Sequence, residues 1–212
     1  MTEYYVPTGP SETEFVEKRS RFIGHVRPIE SEDEARSYIE QMKKRYHDAR
    51  HNCWCYRLKE GGVERYSDDG EPQGTAGQPM LGVFQKEGVF NVCCVVTRYF
   101  GGVLLGAGGL VRAYTQSAKD ALDAAGISVV RQWAEVAVSC PYGLFERVKL
   151  ELETAGGVPG EHEYAADVTV RALLPEGAVE GFSARVTELT AGACAVQTVG
   201  KVFRAAPREK IL

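Results

Sequence analysis

The sequence lacks the patterns that mark secreted, membrane-spanning and metal-binding proteins. Its cysteines are Cys53, Cys55, Cys93, Cys94, Cys140 and Cys194. None belongs to a Cys-x-x-Cys pair, the spacing typical of zinc sites and redox centres. We find no signal-peptide pattern, and no apolar run reaches the ~20 residues that a membrane-spanning helix needs. We therefore expect a cytoplasmic protein with reduced thiols, without a metal and without a membrane partner.

The chain also lacks an excess of charge of either sign. Its 212 residues carry 25 basic and 29 acidic side chains, which gives a formal net charge of −4. Strong nucleic-acid binding would therefore need a local basic surface. Two short segments offer one, namely Lys43-Lys44-Arg45 with Arg50, and the tail with Lys201, Arg204, Arg208 and Lys210. The composition favours an ordinary interpretation of each segment, as a helix end that complements the dipole and as a solvated tail.

Motifs of the common hydrolases and metalloproteases are missing as well. The chain contains no Gly-x-Ser-x-Gly, no His-Glu-x-x-His and no recognisable Ser-His-Asp set. Its histidines are His25, His47, His51 and His162. They are scattered, and His51 follows the expected end of a helix that contains His47. We predict no catalytic residue and do not expect an enzyme.

What is present is a regular alternation of strand and helix patterns. Residues 20–29 predict a strand, and Ser31 with Glu34 predicts a capping box that opens an amphipathic helix. Residues 52–58 and 63–66 predict a β-hairpin. The first part of the chain therefore predicts mixed α and β structure.

The next segments repeat this alternation. Thr75 with Gln78 predicts a second capping box at the start of a short helix. The apolar run 92–96 predicts a strand buried on both faces. A helix is expected from about residue 110 to residue 125, with Gly126 as its cap.

The second half predicts a compact domain of its own. Strand patterns cover residues 134–139, 167–174 and 193–199, and helix patterns cover 144–152 and 175–189. If residues 158–165 supply one more strand, the order is βαββαβ, the ferredoxin-like unit. We expect an α+β protein with two two-layer domains, residues 1–129 and residues 130–212.

An acidic turn, Asp68-Asp69-Gly70-Glu71-Pro72, is the first of two segments with unusual composition. Clustered carboxylates are the ligands that hard divalent cations prefer, although the spacing is not that of an EF-hand. The same turn would also favour a following helix N-terminus, or receive basic and amide groups of a partner. The sequence leaves these three interpretations open.

A glycine-rich segment between the buried strand and the following helix is the second. Five glycines occur within residues 101–109, flanked by Arg98 and Arg112. Glycine loses more backbone entropy on folding than other residues, so such a run needs a reason. Backbone N–H groups before a helix favour an anion, and the two arginines could assist. Tight packing explains the glycines equally well, and the spacing matches neither a P-loop nor Gly-x-Gly-x-x-Gly.

These segments together resemble the IMPACT/YigZ family. The matching elements are Asp68-Asp69-Gly70-Glu71-Pro72, Gly74-Thr75-Ala76-Gly77, Val95-Val96-Thr97-Arg98-Tyr99-Phe100-Gly101-Gly102, Leu105-Gly106 and Gly108-Gly109-Leu110-Val111-Arg112-Ala113-Tyr114. They occur in the family's order and spacing. The likeness is strong over residues 15–127, and the remainder is similar to the small C-terminal domain of bacterial members.

The resemblance implies a first domain like the second domain of a small-subunit ribosomal protein. It implies a second, ferredoxin-like domain similar to the last domain of elongation factor G. Eukaryotic relatives regulate translation initiation by competing for an activator of a stress-response kinase. By analogy, we expect a non-enzymatic binding protein, without a cofactor, whose partner is the ribosome, an RNA or a ribosome-associated protein.

The alternative is a site for a small molecule or nucleotide phosphate, with phosphoryl chemistry at the glycine-rich segment and Mg²⁺ on Asp68 or Asp69. Both hypotheses draw on one set of candidate binding residues: Asp68, Asp69, Glu71, Arg98, Tyr99, Gly101, Gly102, Gly106, Gly108, Gly109 and Arg112.

Overall fold

The computed structural model describes residues 3–207. Arg208 and Lys210 of the basic tail lie outside the described residues. The chain divides by its internal contacts into two compact units, one consisting mainly of Tyr4–Val129 and the other mainly of Val130–Arg204. Within the described range, no helix combines the length and the apolar character needed to cross a bilayer.

The first unit contains six complete strands and three helices. The strands are β1 (Tyr4–Pro7), β2 (Ser11–Glu17), β3 (Ser20–Pro28), β4 (His51–Arg57), β5 (Glu64–Ser67) and β6 (Val92–Tyr99). The helices are α1 (Glu32–Arg45), α2 (Gly77–Lys86) and α3 (Ala107–Ala125). The predicted hairpin is confirmed as the antiparallel pair β4 and β5.

A five-stranded antiparallel sheet in the order β2-β3-β6-β4-β5 forms the centre of this unit. Strand β6 lies in the middle and is buried on both faces, as its continuous apolar sequence predicts. Val92, Cys94 and Val96 face the core that α2 and α3 cover, whereas Cys93 and Val95 face the core beneath α1.

Helix α1 forms as its sequence predicts. The Ser31 hydroxyl accepts a hydrogen bond from the Glu34 backbone N–H at 3.2 Å, which satisfies one of the free donors of the first turn. The Glu34 carboxylate reaches back to the N–H of Glu30 at 2.8 Å, one residue before the position that the capping-box pattern predicts.

The predicted capping box of α2 is wrong. Ala76 occupies the N-cap position of this helix, and no side chain of the cap residue hydrogen-bonds to it. The Thr75 hydroxyl instead donates to the Pro72 carbonyl at 2.6 Å. The N–H groups of Ala76 and Gly77, at the start of α2, donate instead to Asp68, which lies eight or nine residues earlier in the sequence.

The second unit has the predicted βαββαβ order, except that residues 158–165 supply two short strands where one was expected. Its strands are β7 (Ile127–Cys140, which continues from the first unit), β8 (Val158–Pro159), β9 (Glu163–Tyr164), β10 (Val168–Pro175) and β11 (Val196–Pro207), and its helices are α4 (Tyr142–Thr154) and α5 (Val179–Leu189). In the sheet, β7 pairs with β10 and with β11, and β10 pairs with β8 and with β9. Both helices pack on one apolar face of this sheet, which is the ferredoxin-like arrangement.

Candidate functional site

The glycine-rich segment links the end of β6 to the start of α3. Gly101 packs where no side chain fits, because a Cβ there would lie 2.0 Å from the Arg19 backbone. Gly102 and Gly106 have φ of 85° and 72°, a left-handed conformation that other L-residues adopt only with strain. Tight packing and positive φ therefore account for three of the five glycines.

The other two glycines, Gly108 and Gly109, belong to the helix rather than to the loop. Helix α3 begins at Ala107, three residues before the predicted start. Its N-cap residue Gly106 has no side chain to cap the helix, and its first turn contains no acidic residue. Within the part of the chain that the structure describes, neither the N-cap residue nor the first turn therefore supplies a carboxylate to the positive end of this 19-residue helix.

Arg98 of β6 and Glu71 form a buried ion pair beside this helix start. Arg98 Nη1 donates to Glu71 Oε1 at 2.7 Å, and the two side chains are only 7% and 3% exposed. The Tyr114 hydroxyl of α3 donates to the same oxygen at 2.8 Å, and its burial raises the pKa of Tyr114. Arg98 Nη2 donates to the Ser20 hydroxyl at 3.3 Å. The carboxylate is thus neutralised within the fold.

Arg98 nevertheless keeps one unused donor. Its Nε is fully buried and has no hydrogen-bond acceptor among the described residues. The guanidinium carbon lies 5.5 Å from the ring centre of Phe22 and 5.6 Å from that of Phe100. The aromatic rings therefore help to hold the cation in place.

The Asp68 carboxylate accepts hydrogen bonds from the backbone of the segment that follows it. Its Oδ2 accepts from the Gly74 N–H at 2.8 Å, and its Oδ1 accepts from the N–H groups of Ala76 at 3.0 Å and Gly77 at 2.8 Å. This carboxylate caps α2 from a distance in sequence. The contacts of Asp68 therefore agree with one of the three interpretations of the acidic turn, the one in which its acids favour a following helix N-terminus.

Asp69 is also engaged in internal contacts. Its carboxylate accepts from the Lys43 ammonium at 3.0 Å and from the Asn52 N–H at 2.7 Å. Its carbonyl lies 2.9 Å from His51 Nδ1, and because a carbonyl only accepts, Nδ1 carries the proton. No group of three His, Cys, Asp or Glu side chains suited to a metal occurs within residues 3–207.

An open cleft of about 310 Å³ lies between this ion pair and the start of α3. It is lined by Arg50, His51, Glu71, Pro72, Arg98, Phe100, Leu104, Leu105, Gly106, Ala107 and Leu110. Its rim combines an exposed cation, Arg50, with apolar side chains, since Phe100 is 46% and Leu104 is 82% exposed. We call this feature the Arg98 cleft.

The structure brings only some of the predicted residues to the Arg98 cleft. Arg112 is exposed and lines a separate surface hollow with Lys18 and Gln116, so it does not join Arg98 around one ligand. The Tyr99 hydroxyl donates to Asp48 at 2.7 Å and is absent from the lining. Arg98, Glu71 and Gly106 are the predicted residues that line the cleft.

Several lining residues were not among the predicted site residues. Arg50 stands out in the sequence only as part of a basic segment, and His51 only as an isolated histidine. Phe100 and Leu104 are large apolar residues inside a glycine-rich loop, where burial is rare. That combination is a usable indication of an exposed binding surface.

Two family models match this chain. Residues 18–122 match the Impact N-terminal domain, which covers the whole Arg98 cleft. Residues 138–193 match a domain of unknown function, DUF1949, which lies within the second unit.

Individual relatives agree with these matches. The chain is 37% identical to IMPACT family member YvyE of Bacillus subtilis, over 91% of this chain and 89% of that protein. It is 33% identical to IMPACT family member YigZ of Escherichia coli, over 91% and 96%. Protein IMPACT of Rattus norvegicus is 32% identical over 42% of this chain and 30% of its own length.

A crystal structure described as that of a hypothetical protein has a similar fold. It matches with a TM-score of 0.59 at 31% identity, over 94% of this chain and 98% of that one. The likeness therefore extends over both units.

Proposed function

The chain belongs to the IMPACT family, and from this premise we propose that it acts by binding a component of the translation machinery through the Arg98 cleft. The partner is the ribosome, an RNA or a ribosome-associated protein. The proposal rests on family membership for the biological context and on the cleft for the place of contact.

The observation that carries the place of contact is the composition of the cleft rim. Arg50 is exposed and forms no ion pair within the described part of the chain. Phe100 and Leu104 expose large apolar surfaces beside it. A cation next to exposed aromatic and aliphatic side chains is the composition that binding surfaces favour.

Metal-dependent phosphoryl chemistry has less support. In that hypothesis Asp68 or Asp69 holds Mg²⁺, but both carboxylates already accept hydrogen bonds from backbone N–H groups or lysine. Mg²⁺ would have to replace those bonds, and the N-terminus of α2 would lose its cap. The cleft itself remains compatible with a small ligand.

Sedimentation of cell lysate on a sucrose gradient after brief crosslinking tests the proposal. We expect the tagged protein to migrate partly with ribosomal particles, and Arg50→Glu to shift it towards free protein. Arg112→Glu, which changes an equally exposed arginine outside the cleft, is the matched control and should leave migration unchanged. Equal migration of all three proteins, or only free protein, contradicts the proposal.

The salt dependence of the association then identifies the class of partner. If phosphates of an RNA dominate, affinity falls steeply and log-linearly with salt. A weak dependence indicates a protein partner, because short-range apolar contacts are screened little by salt.

A further inference from the structure

We propose that the Arg98 cleft holds one phosphorylated nucleotide unit, either free or at the end of an RNA strand, with its phosphate at the start of α3 and its base against Phe100. This inference rests on the proposed function and deepens it, because it names the ligand class. Such a unit combines an anionic phosphate, which suits the start of α3, with a flat base, which suits the exposed ring of Phe100.

The anionic end of the ligand is matched by the start of α3. Gly106 and Ala107, the N-cap and the first residue of α3, line the cleft, so the beginning of the helix lies at its wall. The N-cap residue Gly106 has no side chain, and no acidic residue lies in the first turn of the helix. A phosphate there would accept hydrogen bonds from the N–H groups and interact favourably with the helix dipole.

The buried Arg98 is a second and independent indication of an anion. Its side chain is 93% buried, lines the cleft, and has an Nε donor without an acceptor among the described residues. A buried donor that is left unpaired lowers stability, which a ligand acceptor would reverse. Arg50 at the rim adds a free guanidinium, the group that pairs with phosphate through parallel hydrogen bonds.

Glu71 does not oppose an anion in this cleft. Its carboxylate is 3% exposed and accepts from both Arg98 and Tyr114 at the same oxygen. Its charge is therefore balanced inside the fold, and Arg50 is the exposed charged side chain among the residues that line the cleft.

The base end of the ligand is matched by the loop before α3. Phe100 has the Arg98 guanidinium carbon 5.6 Å from its ring centre, while 46% of the residue remains exposed. Leu104 is 82% exposed on the same loop. Stacking of a base on an aromatic side chain contributes to affinity for every base, since each has a π-face.

The size of the cleft fits one nucleotide unit. Its volume of about 310 Å³ is at the lower end of the range for small-molecule sites. The chain as a whole carries a net charge of −4, which disfavours a long, sequence-independent RNA track. A strand end or a free nucleotide satisfies both conditions.

Binding of adenosine 5′-monophosphate to the full chain, measured by calorimetry and by NMR shift mapping, tests the ligand class. We expect adenosine and ribose 5-phosphate each to bind at least about tenfold more weakly, since each lacks one of the two matched groups. N-acetylphenylalanine, an aromatic carboxylate, should also be weaker. The inference is overturned if adenosine or N-acetylphenylalanine binds as tightly as adenosine 5′-monophosphate. It is also overturned if the nucleotide does not bind at about 10 mM.

Variants assign the site. Arg50→Ala and Phe100→Ala should each weaken nucleotide binding by about tenfold, whereas Arg112→Ala should leave it unchanged. Thermal unfolding of each variant checks that the fold is retained. Loss of binding in Arg112→Ala, or shifts that map outside the cleft, places the ligand elsewhere and overturns the assignment.

Short RNAs of one sequence separate the two sources of the nucleotide. A 5′-phosphorylated strand that binds more tightly than its 5′-hydroxyl counterpart identifies a strand end, and a free nucleotide that outcompetes both identifies a metabolite. Ribosome co-sedimentation in the same lysates distinguishes the two levels of the proposal. If co-sedimentation depends on Arg50 but no nucleotide binds, the ligand class is wrong while the proposed function stands.

Discussion

Arg98 Nη1 and Glu71 Oε1 lie 2.7 Å apart in the interior of the first unit, although the two residues are 27 positions apart in the sequence. The pair joins the central strand β6 to the turn that precedes α2. Tyr114 of α3 donates to the same carboxylate oxygen. The Glu71 carboxylate therefore connects β6, α3 and the turn before α2. The floor of the Arg98 cleft is therefore part of the framework of the unit.

Breaking this pair should destabilise the protein strongly. Glu71→Ala leaves the Arg98 charge buried without its partner, for which we expect a loss of about 3–5 kcal/mol in the free energy of unfolding. Urea unfolding measures it. Glu14→Ala removes the partner of an exposed ion pair with Arg21, and its loss of stability should be much smaller because solvent screens this pair. Similar losses for both variants would contradict a buried, unscreened pair.

Two glycines of the same segment should respond in opposite ways to alanine. Gly101→Ala places a Cβ 2.0 Å from the Arg19 backbone, and such overpacking costs about 1–3 kcal/mol. Gly108→Ala meets only Arg112 Nη1 at 3.6 Å, an ordinary contact, and alanine favours the helix by up to about 1 kcal/mol. Thermal unfolding of both variants measures the difference. Destabilisation by Gly108→Ala would contradict the helical assignment of this residue.

Removal of the Asp68 carboxylate should weaken the start of α2. Asp68→Ala leaves the N–H groups of Gly74, Ala76 and Gly77 without their acceptor, and we expect a loss of about 2–3 kcal/mol. Glu40→Ala, at an exposed position of α1, should change stability by less than about 0.5 kcal/mol. Hydrogen exchange should accelerate locally at Ala76 and Gly77. A loss as small as that of the control would show that water replaces the cap.

His25 should make stability depend on pH. Burial lowers the pKa of His25 to about 4, below its usual value of 6.5, while the charge of Glu12 opposes and that of Arg45 reinforces this shift. The unfolded chain therefore binds the proton first as the pH falls. The free energy of unfolding therefore falls as the pH is lowered from 6.5 to about 4. The total loss that His25 causes over this range is about 3 kcal/mol.

The control for this pH dependence is His25→Phe, which keeps an aromatic ring of similar size and cannot titrate. Urea unfolding of both proteins at several values between pH 7 and pH 4 gives two curves. As the pH falls over this range, the free energy of unfolding of the natural protein should decrease relative to that of the variant. A constant gap would show that His25 is protonated in the folded state as readily as in the unfolded chain.

Sequence patterns alone predict the elements that depend on neighbouring residues. Ser31 caps α1 and Gly126 ends α3 with a φ of 71°, because capping and positive φ are decided within a few residues. The apolar run Val92–Val96 predicts a central strand correctly, since burial on both faces removes the alternation of an edge strand. The strand and helix order of the second unit follows in the same way.

Only the tertiary structure decides which distant groups meet. The acids of one turn separate into a helix cap, Asp68, and the partner of a buried arginine, Glu71. Arg98 and Arg112 flank the same glycine-rich segment in the sequence. In the structure, Arg98 lines the Arg98 cleft, whereas Arg112 lines a separate hollow. The physical reason is that strand pairing and helix rotation set the direction of each side chain, and these depend on contacts between residues far apart in the chain.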